Sequence, residues 1–586
     1  MHTLVRHAKA YLVRWWFWYV TGIAFLLATN WLAVQIPLEL ADGVDALRDG
    51  DQPGVHRAAL VIALMGLSVI VVRTLSRVLI FTPGRLVEYQ VKNDLFAHLT
   101  RLPPAFFGRL EAGDIVSRAT NDITYVRVLS GFGVLSLFNV TSALVLTGWE
   151  MVALSWRLTL WVVLPIALAL VGVQAGIRLL FTLVKQAQEE LSELSAHILA
   201  SLQGVTTIQG FGAEEAFVGR FLDRNQAYLA TTLRLARIQA FVLPLLTLGG
   251  SAAVFALLAV GGPMTIEGEL SVGQLVAFVT YVGYLLMPLR GLGWMLNIFQ
   301  RGSASLERVH EIMDADPERS EGDSPAPMPA IAPPSIAISG LSFAYPDAPD
   351  ERVLHDISCA LPGGSLVGVF GPTGSGKSTL LRLLARSYNP PESSVFVDGT
   401  DLTALDLLAW RRRISMAPQT PFLFSETLAD NVVMGVAEPE RLARALERAS
   451  LGRDLELLPE GQDTVVGQRG VMLSGGQRQR TALARALYRD FDLLLLDDVL
   501  SAVDHATEQR IVDALVEEVS ERGASGVVVS HRMSVLARCD KILVLDDGRL
   551  VATGTHQDLT DVVGPYRDAW LASTTEPAAE PVEEAG

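Results

Sequence analysis

Residues 365–380 read Ser-Leu-Val-Gly-Val-Phe-Gly-Pro-Thr-Gly-Ser-Gly-Lys-Ser-Thr-Leu. The first six form an apolar run of strand length, and an apolar helix pattern opens at Leu380. Between them Gly371, Pro372, Thr373, Gly374, Ser375, Gly376, Lys377, Ser378 and Thr379 spell G-x-x-x-x-G-K-S in the strand–loop–helix setting that gives the pattern its meaning. The glycines let successive backbone N–H groups turn inward around a phosphate at the positive end of a helix. Lys377 is expected to reach the β- and γ-phosphates, and the Ser378 hydroxyl to ligate Mg²⁺. A chance match arises in roughly one chain in fifty of this length, and the flanking pattern lowers that further. Nucleotide binding by an α/β P-loop domain follows.

Two stretches downstream extend the site. Leu493-Leu494-Leu495-Leu496-Asp497 is a continuous apolar run ending in a carboxylate. It reads as a buried parallel strand that delivers Asp497 to the Mg²⁺ side of the phosphates. Leu473-Ser474-Gly475-Gly476-Gln477 lies immediately before the helical Arg478–Tyr488. A serine and two glycines at a helix start are a second anion site, with a plain N-cap as the simpler reading.

Upstream the composition changes. Over all 586 residues the chain is 50% hydrophobic and only 19% charged, against about 25% in ordinary globular domains. The excess sits in the first half, in six runs of membrane-spanning length: Trp15–Leu38, Ala58–Phe81, Phe132–Leu154, Leu158–Phe181, Ala236–Val260 and Val272–Phe299. The first follows Arg6, Lys9 and Arg14 as a signal peptide would. It is long, opens on Trp15, Trp16 and Trp18, and lacks a small-residue cleavage site, so a retained helix is expected. The loops 39–57, 155–157 and 261–271 are short, and the first carries Asp42, Asp45, Asp49 and Asp51. The connections 82–131 and 182–237 are long and hold many of this half's Lys and Arg residues. Positive charge favours the cytoplasm, so both termini and both long connections are expected there, as helical extensions. The net charge of −16 argues against a nucleic-acid partner. Two cysteines, Cys359 and Cys539, exclude a disulfide-built fold and read as core residues of a reducing compartment. The expected organisation is a transmembrane domain over 1–315, a Pro-rich linker over 316–334, a nucleotide-binding domain over 335–573 and a disordered acidic tail over 574–586.

With the phosphate loop, the five-residue Leu473–Gln477 stretch and the carboxylate strand in this order, the chain resembles the ATP-binding cassette (ABC) family over nearly its whole length. Six helices fused ahead of one cassette are similar to its exporter-type (type IV) branch. The resemblance implies a six-helix all-α transmembrane domain with long cytoplasmic extensions, fused to an α/β ABC domain that uses ATP and Mg²⁺. It implies that Leu473–Gln477 faces the nucleotide of an opposite cassette, so that two cassettes sandwich two ATPs. Tyr345, in Phe343-Ala344-Tyr345-Pro346, matches the aromatic that stacks on adenine. Gln419, in Ala417-Pro418-Gln419-Thr420, matches the glutamine that ligates Mg²⁺ and senses the membrane domain. His531 matches the switch histidine at the γ-phosphate, and Asp504, in Ser501-Ala502-Val503-Asp504, the loop through which the two sites communicate. The segment running from Phe106-Phe107 to Asn121-Asp122 looks like the first intracellular loop, and the one from Gly204 to Glu214 like the second.

There are departures. Ala200 and Gln468 stand where glutamate is usual, each removing a charge at the domain contacts. The largest is Asp498, where the resemblance implies a glutamate acting as general base. Aspartate is shorter by one methylene, so slow hydrolysis at this chain's own loop is expected, with the intact Leu473–Gln477 serving a partner's site. That pattern is similar to one half of the heterodimeric bacterial multidrug exporters. It implies ATP-driven export of a hydrophobic or amphiphilic compound across the cytoplasmic membrane, with a second ABC half-transporter and membrane lipid as partners. An exporter-fold importer and an ATP-gated regulator with little turnover are the alternatives. Arg73, Arg77 and Arg290 lie toward the cytoplasmic ends of their spans. Snorkelling is the expected reading for Arg73 and Arg77, and Arg290 is evenly balanced.

Overall fold

The computed structural model describes residues 2–318, 333–467, 471–501 and 503–575. Most of the expected linker, Gln468 with its neighbours Arg469 and Gly470, Ala502 and most of the acidic tail lie outside them. The chain divides into two compact units: Met1–Leu99 with Gly113–Asp314, and Thr100–Ala112 with Ala315–Gly586.

The first unit is all helix. Among the described residues, six helices are long and apolar enough to cross a membrane: α1 (Val5–Arg48), α2 (Gln52–Leu99), α3 (Ala112–Leu154), α4 (Trp156–Gln203), α5 (Glu214–Ile266) and α6 (Val272–Met313). Each runs well beyond its apolar stretch, because a helix once nucleated propagates through flanking residues with few helix breakers, α2 passing Pro83 and α5 Pro263 on the way. The loops 39–57, 155–157 and 261–271 are correspondingly shorter than the sequence suggested. Ser155 and Ser271 cap the starts of α4 and α6, and Ser271 forms a reciprocal capping box with Gln274. At the α1–α6 crossing Asp45 Oδ1 accepts the Gly273 N–H at 2.8 Å, and a Cβ on Gly273 would lie 2.0 Å from the Ala41 carbonyl oxygen. Only glycine allows that approach. Nearby, Tyr281 donates to the Val34 carbonyl at 2.8 Å, which satisfies both groups in a setting without water.

Where the helices extend, ion pairs take over from apolar contact. Arg118, 7% exposed, donates to Asp114 at 2.9 Å and to Glu311 at 2.6 Å. Buried Asp122 accepts from Arg308 Nε and Ser305 Oγ, each at 2.8 Å. α3 is thereby clasped to α6 over its polar length.

In the second unit the central sheet has strand order β10-β9-β3-β8-β7-β6. Its strands are β3 (Leu366–Phe370), β6 (Ile414–Ala417), β7 (Leu493–Asp497), β8 (Ser525–Val529), β9 (Lys541–Asp546) and β10 (Arg549–Gly554). All neighbours are parallel except β9–β10. β3, β7 and β8 are buried along their whole length, which is why they read as unbroken apolar runs. A four-stranded antiparallel sheet, β2-β1-β4-β5, adds β1 (Ile336–Ala344), β2 (Arg352–Leu361), β4 (Val395–Val397) and β5 (Thr400–Asp401). Three helices matter for the site: α7 (Lys377–Leu384), α8 (Gly475–Tyr488) and α9 (His505–Glu521). Cys539 is buried as expected, but Cys359 is only partly so, because it sits on the outer strand β2 of the smaller sheet. Burial pushes the Cys359 thiol up to about 11 and that of Cys539 up to about 12, so neither is a reactive thiolate.

Candidate functional site

In open parallel sheets, ligands bind beyond the carboxyl ends of the strands. Four adjacent strands here each end on a residue expected to act. β3 runs into the phosphate loop, β8 precedes His531, β7 ends at Asp497 and Asp498, and β6 leads to Gln419. The order β3-β8-β7-β6 sets them side by side. They enclose a cavity of about 190 Å³ lined by Gly374, Lys377, Ser378, Gln419, Asp498 and His531, with Thr373, Gly376, Thr379 and Asp497 completing the polar wall.

The loop is held open from within. Lys377 Nζ donates to the carbonyl oxygens of Gly371 and Pro372, both at 2.7 Å, so the ammonium closes the ring where phosphate oxygens would sit. Burial pushes its pKa down, with Asp498 and Asp497 opposing. Gly376 adopts φ +89°, and a Cβ there would meet Leu354 at 2.4 Å; a Cβ on Gly371 would meet the Leu545 carbonyl oxygen at 2.1 Å. Ser375, 2% exposed, leaves its Oγ without a hydrogen-bond partner. A buried orphan hydroxyl beside a ring of loop amides fits an anion such as a nucleotide phosphate.

Ser378 Oγ donates to Asp497 Oδ1 at 2.9 Å, and Gln419 lines the same cavity. Three oxygen donors, one of them an ionisable carboxyl, suit Mg²⁺, which is usually held through one or two carboxylates together with phosphate oxygens and water. Burial pushes Asp497 up, and bonding to Ser378 opposes it. Asp498 is also raised by burial, with the neighbouring His531 opposing. Its backbone is left-handed at φ +48°, a region that aspartate tolerates better than most residues. The Asp498 N–H donates to the Val529 carbonyl at 3.1 Å, and its own carbonyl accepts from Ser501 Oγ at 3.1 Å. The short carboxylate therefore hangs from a backbone tied on both sides.

Tyr345 is half-buried. Its hydroxyl lies 2.9 Å from Thr379 Oγ1 and accepts from Arg382 at 3.1 Å, and its ring meets Tyr388 edge-on at 5.0 Å. This packing sets an aromatic ring beside the start of α7 without placing it in the cavity wall. The Leu473–Gln477 stretch is elsewhere on the unit. Leu473 is buried, and Ser474 caps α8: its Oγ accepts the Gln477 N–H at 3.2 Å, while Gln477 Oε1 accepts the Ser474 N–H at 2.9 Å. Gly475 and Gly476 form the first turn of that helix. Asp504 caps α9, accepting the Thr507 N–H at 3.0 Å, which holds its carboxyl below the usual range. Neither group lines the cavity formed by the phosphate loop, Gln419, Asp497, Asp498 and His531.

Sequence reasoning missed a network behind the carboxylate. Gln479 of α8 donates to Ser501 Oγ at 2.9 Å. Arg532, next to His531, donates to the Val503 and Ser501 carbonyls and pairs with the buried Glu508. A glutamate in the first turn of a helix gave no hint of this, since such residues ordinarily face solvent. A wider cleft of about 830 Å³ lies elsewhere on the unit, but Arg441, Arg448 and Arg522 along it are already paired with Asp490, Glu518 and Glu521.

The comparisons with known proteins bear on the whole chain. The ABC transporter transmembrane region matches residues 19–289, and the ABC transporter domain matches 354–501. The chain is 34% identical over 583 residues to the multidrug resistance-like ATP-binding protein MdlA of Escherichia coli (strain K12), covering 98% of this chain and 97% of that one. It is 33% identical to the ATP-dependent lipid A-core flippase of Pseudomonas fluorescens (strain Pf0-1), over 82% of this chain and 79% of that one. Among solved structures, that of a bacterial Atm1-family ABC exporter with ATP bound is similar at a TM-score of 0.79 and 27% identity, covering 95% of this chain and 99% of that one. A transmembrane region joined to a cassette with a complete phosphate loop, matched end to end by such relatives, makes this chain a member of the ABC transporter family, of the exporter type.

Proposed function

We propose that the chain is one half of a heterodimeric ATP-driven exporter of hydrophobic or amphiphilic compounds, and that the ATP site on its own phosphate loop turns over slowly. The observation that carries this is the Asp498 carboxylate, short by one methylene on a backbone bonded to Val529 and Ser501. Relatives described as multidrug resistance proteins and as a lipid A-core flippase support export of apolar or amphiphilic cargo.

On this reading Lys377 exchanges its two carbonyl partners for phosphate oxygens, and Ser375 gains the partner it lacks. Ser378, Asp497 and Gln419 would hold Mg²⁺, which neutralises charge on the phosphates. Asp498 and His531 flank the position from which water attacks, but Asp498 stops short of it. Tyr345 supplies a ring for the adenine beside Thr379. The Ser474 hydroxyl, with its proton still free to donate, is presented to the partner's nucleotide, and Asp504 lies in the loop between the two sites. Both termini, the cassette and the extensions of α2 to α5 face the cytoplasm.

Two substitutions in the co-purified complex test the asymmetry. Ser474→Ala is expected to abolish most ATPase activity, because it damages the fast site in trans, whereas Asp498→Ala lowers activity only modestly. A chain that alone hydrolyses ATP as fast as the complex, and loses that rate with Asp498→Ala, refutes the proposal.

A further inference from the structure

Arg73 and Arg77, both exposed on α2, are more than isolated snorkelling residues if the space beside them is considered. Both line a cavity of about 420 Å³ enclosed by α1, α2, α3 and α6. At 1.5 Å per residue, Arg73 lies roughly 5 Å beyond the centre of the apolar run 58–81. A cation at that depth is costly unless something compensates it. No Asp or Glu lines the cavity, and among the described residues neither guanidinium has an ion pair. Arg290 is different: it hydrogen-bonds Thr247 at 3.4 Å and lies outside this wall.

Two further groups of the wall are unsatisfied. Ser76 and Thr147 are each 1% exposed, and neither Ser76 Oγ nor Thr147 Oγ1 has a hydrogen-bond partner. Buried hydroxyls in helices ordinarily find a carbonyl, so two orphans facing one space mark it as a place for an acceptor. Water could satisfy the hydroxyls, but it offers no countercharge to the two guanidinium groups that line the same space.

The opposite side of the α1–α3 seam is apolar. A groove of about 510 Å³ there has Leu27, Trp31, Phe138 and Val145 in its walls. A polar clasp lies in the α1–α3 seam between the two spaces: Asn30 Nδ2 donates to Ser142 Oγ at 2.6 Å and to Asn139 Oδ1 at 3.2 Å. A cationic chamber and an apolar groove thus share one seam, as the two ends of an amphiphile require.

We infer that Arg73 and Arg77 bind the anionic head group of an amphiphile (phosphate, sulfonate or carboxylate) in this cavity, with the alkyl chain in the groove of Leu27, Trp31, Phe138 and Val145. This rests on the export reading, and it narrows the cargo to anionic amphiphiles. The head group belongs either to a transported solute or to a membrane phospholipid, and the chemistry of recognition is the same.

The test uses the co-purified complex in phosphatidylcholine nanodiscs without nucleotide. Fluorescent NBD-dodecanoate should bind at least tenfold more tightly than NBD-dodecylamine, about 1.4 kcal/mol. Dodecyl phosphate should displace it, and methyl phosphate at the same concentration should not. The double substitution Arg73→Gln with Arg77→Gln should remove the preference, while Arg73→Lys with Arg77→Lys should keep it. Equal binding of amine and carboxylate by the unaltered protein, or a preference surviving in the glutamine pair, overturns the inference. Adding phosphatidylglycerol separates the sources: weakened probe binding in the unaltered protein assigns the site to lipid, and unchanged binding assigns it to transported solute. Loss of ATP-driven probe uptake in inside-out vesicles, with binding intact, would count against export and leave the site standing.

Discussion

Replacing Asp498 by glutamate should speed the site on this chain's own phosphate loop about a hundredfold. Its N–H is bonded to Val529 and its carbonyl to Ser501, at a φ of +48°, so the backbone cannot advance without breaking both contacts. One added methylene extends the carboxylate by about 1.5 Å. Misplacing a catalytic group by about 1 Å costs ~10²-fold in rate, equivalent to ~2.7 kcal/mol of barrier. The opposing effect is smaller. Left-handed backbone costs an ordinary residue about 1–2 kcal/mol, and aspartate already bears much of that, so Asp498→Glu should lower cassette stability by less than about 1 kcal/mol. The assay is steady-state hydrolysis of saturating MgATP by the chain purified alone, where both sites carry the same carboxylate, with nucleotide binding measured in parallel. If the variant binds ATP normally yet hydrolyses it no faster than the unaltered chain, reach is not what limits this site and the reasoning fails.

Gly371→Ala should distort the phosphate loop, because the new Cβ would lie 2.1 Å from the Leu545 backbone oxygen. Thermal melts with and without ATP are expected to show a destabilised cassette that nucleotide no longer protects, and an unchanged ATP-induced shift contradicts the contact. Asp122→Asn should weaken the clasp of α3 to α6 by about 1.5–3 kcal/mol, the range for hydrogen bonds to a charged group. Burial alone would raise the Asp122 pKa, but Arg308 and Ser305 outweigh it and leave the carboxyl below its ordinary value. Its contribution is therefore complete above the unfolded-state pKa and lost as pH falls through the depressed one. Acid unfolding monitored at helix α6 should lose that pH-dependent component in the variant. With Cys359 and Cys539 replaced by serine, a single cysteine at Asp49 should react with an impermeant reagent outside intact cells and one at Glu189 should not. The reverse pattern inverts the proposed topology.

How much of this was legible in the sequence depended on whether the signal was local. The phosphate loop, β3 and β7 were readable because a buried parallel strand must be apolar on both faces and the loop needs glycine at fixed positions. The six spanning runs were readable because lipid demands about 20 apolar residues in succession. The extensions of α2 to α5 were expected, but their ends were not, since a polar helix carries little periodic signal. What a linear reading could not show was which helix packs on which. Arg73 and Arg77 look like snorkelling residues in a linear reading, and only the fold of α1, α3 and α6 about them makes a chamber. The partners of Glu508, Arg532 and Gln479 lie more than 20 residues away, beyond the reach of any local pattern.

That hidden network bears on why a short carboxylate and an intact Leu473–Gln477 stretch belong on one chain. α8 begins at Ser474's cap and, five residues on, Gln479 ties it to Ser501, whose hydroxyl holds the Asp498 carbonyl. Arg532 grips the same loop from the His531 side. The start of α8, which the proposal assigns to a partner's nucleotide, and the Asp498 backbone are thus two ends of one hydrogen-bonded path. In a pair of equal sites, each hydrolysis would slacken the path it starts on and disturb the helix serving the other site. If the proposed asymmetry holds, a slow carboxylate at one end would keep that loop in a single state while a partner's site turned over against Ser474. On the heterodimer reading, shortening the base by one methylene and keeping the capping box act together: the first holds the path still, and the second uses it.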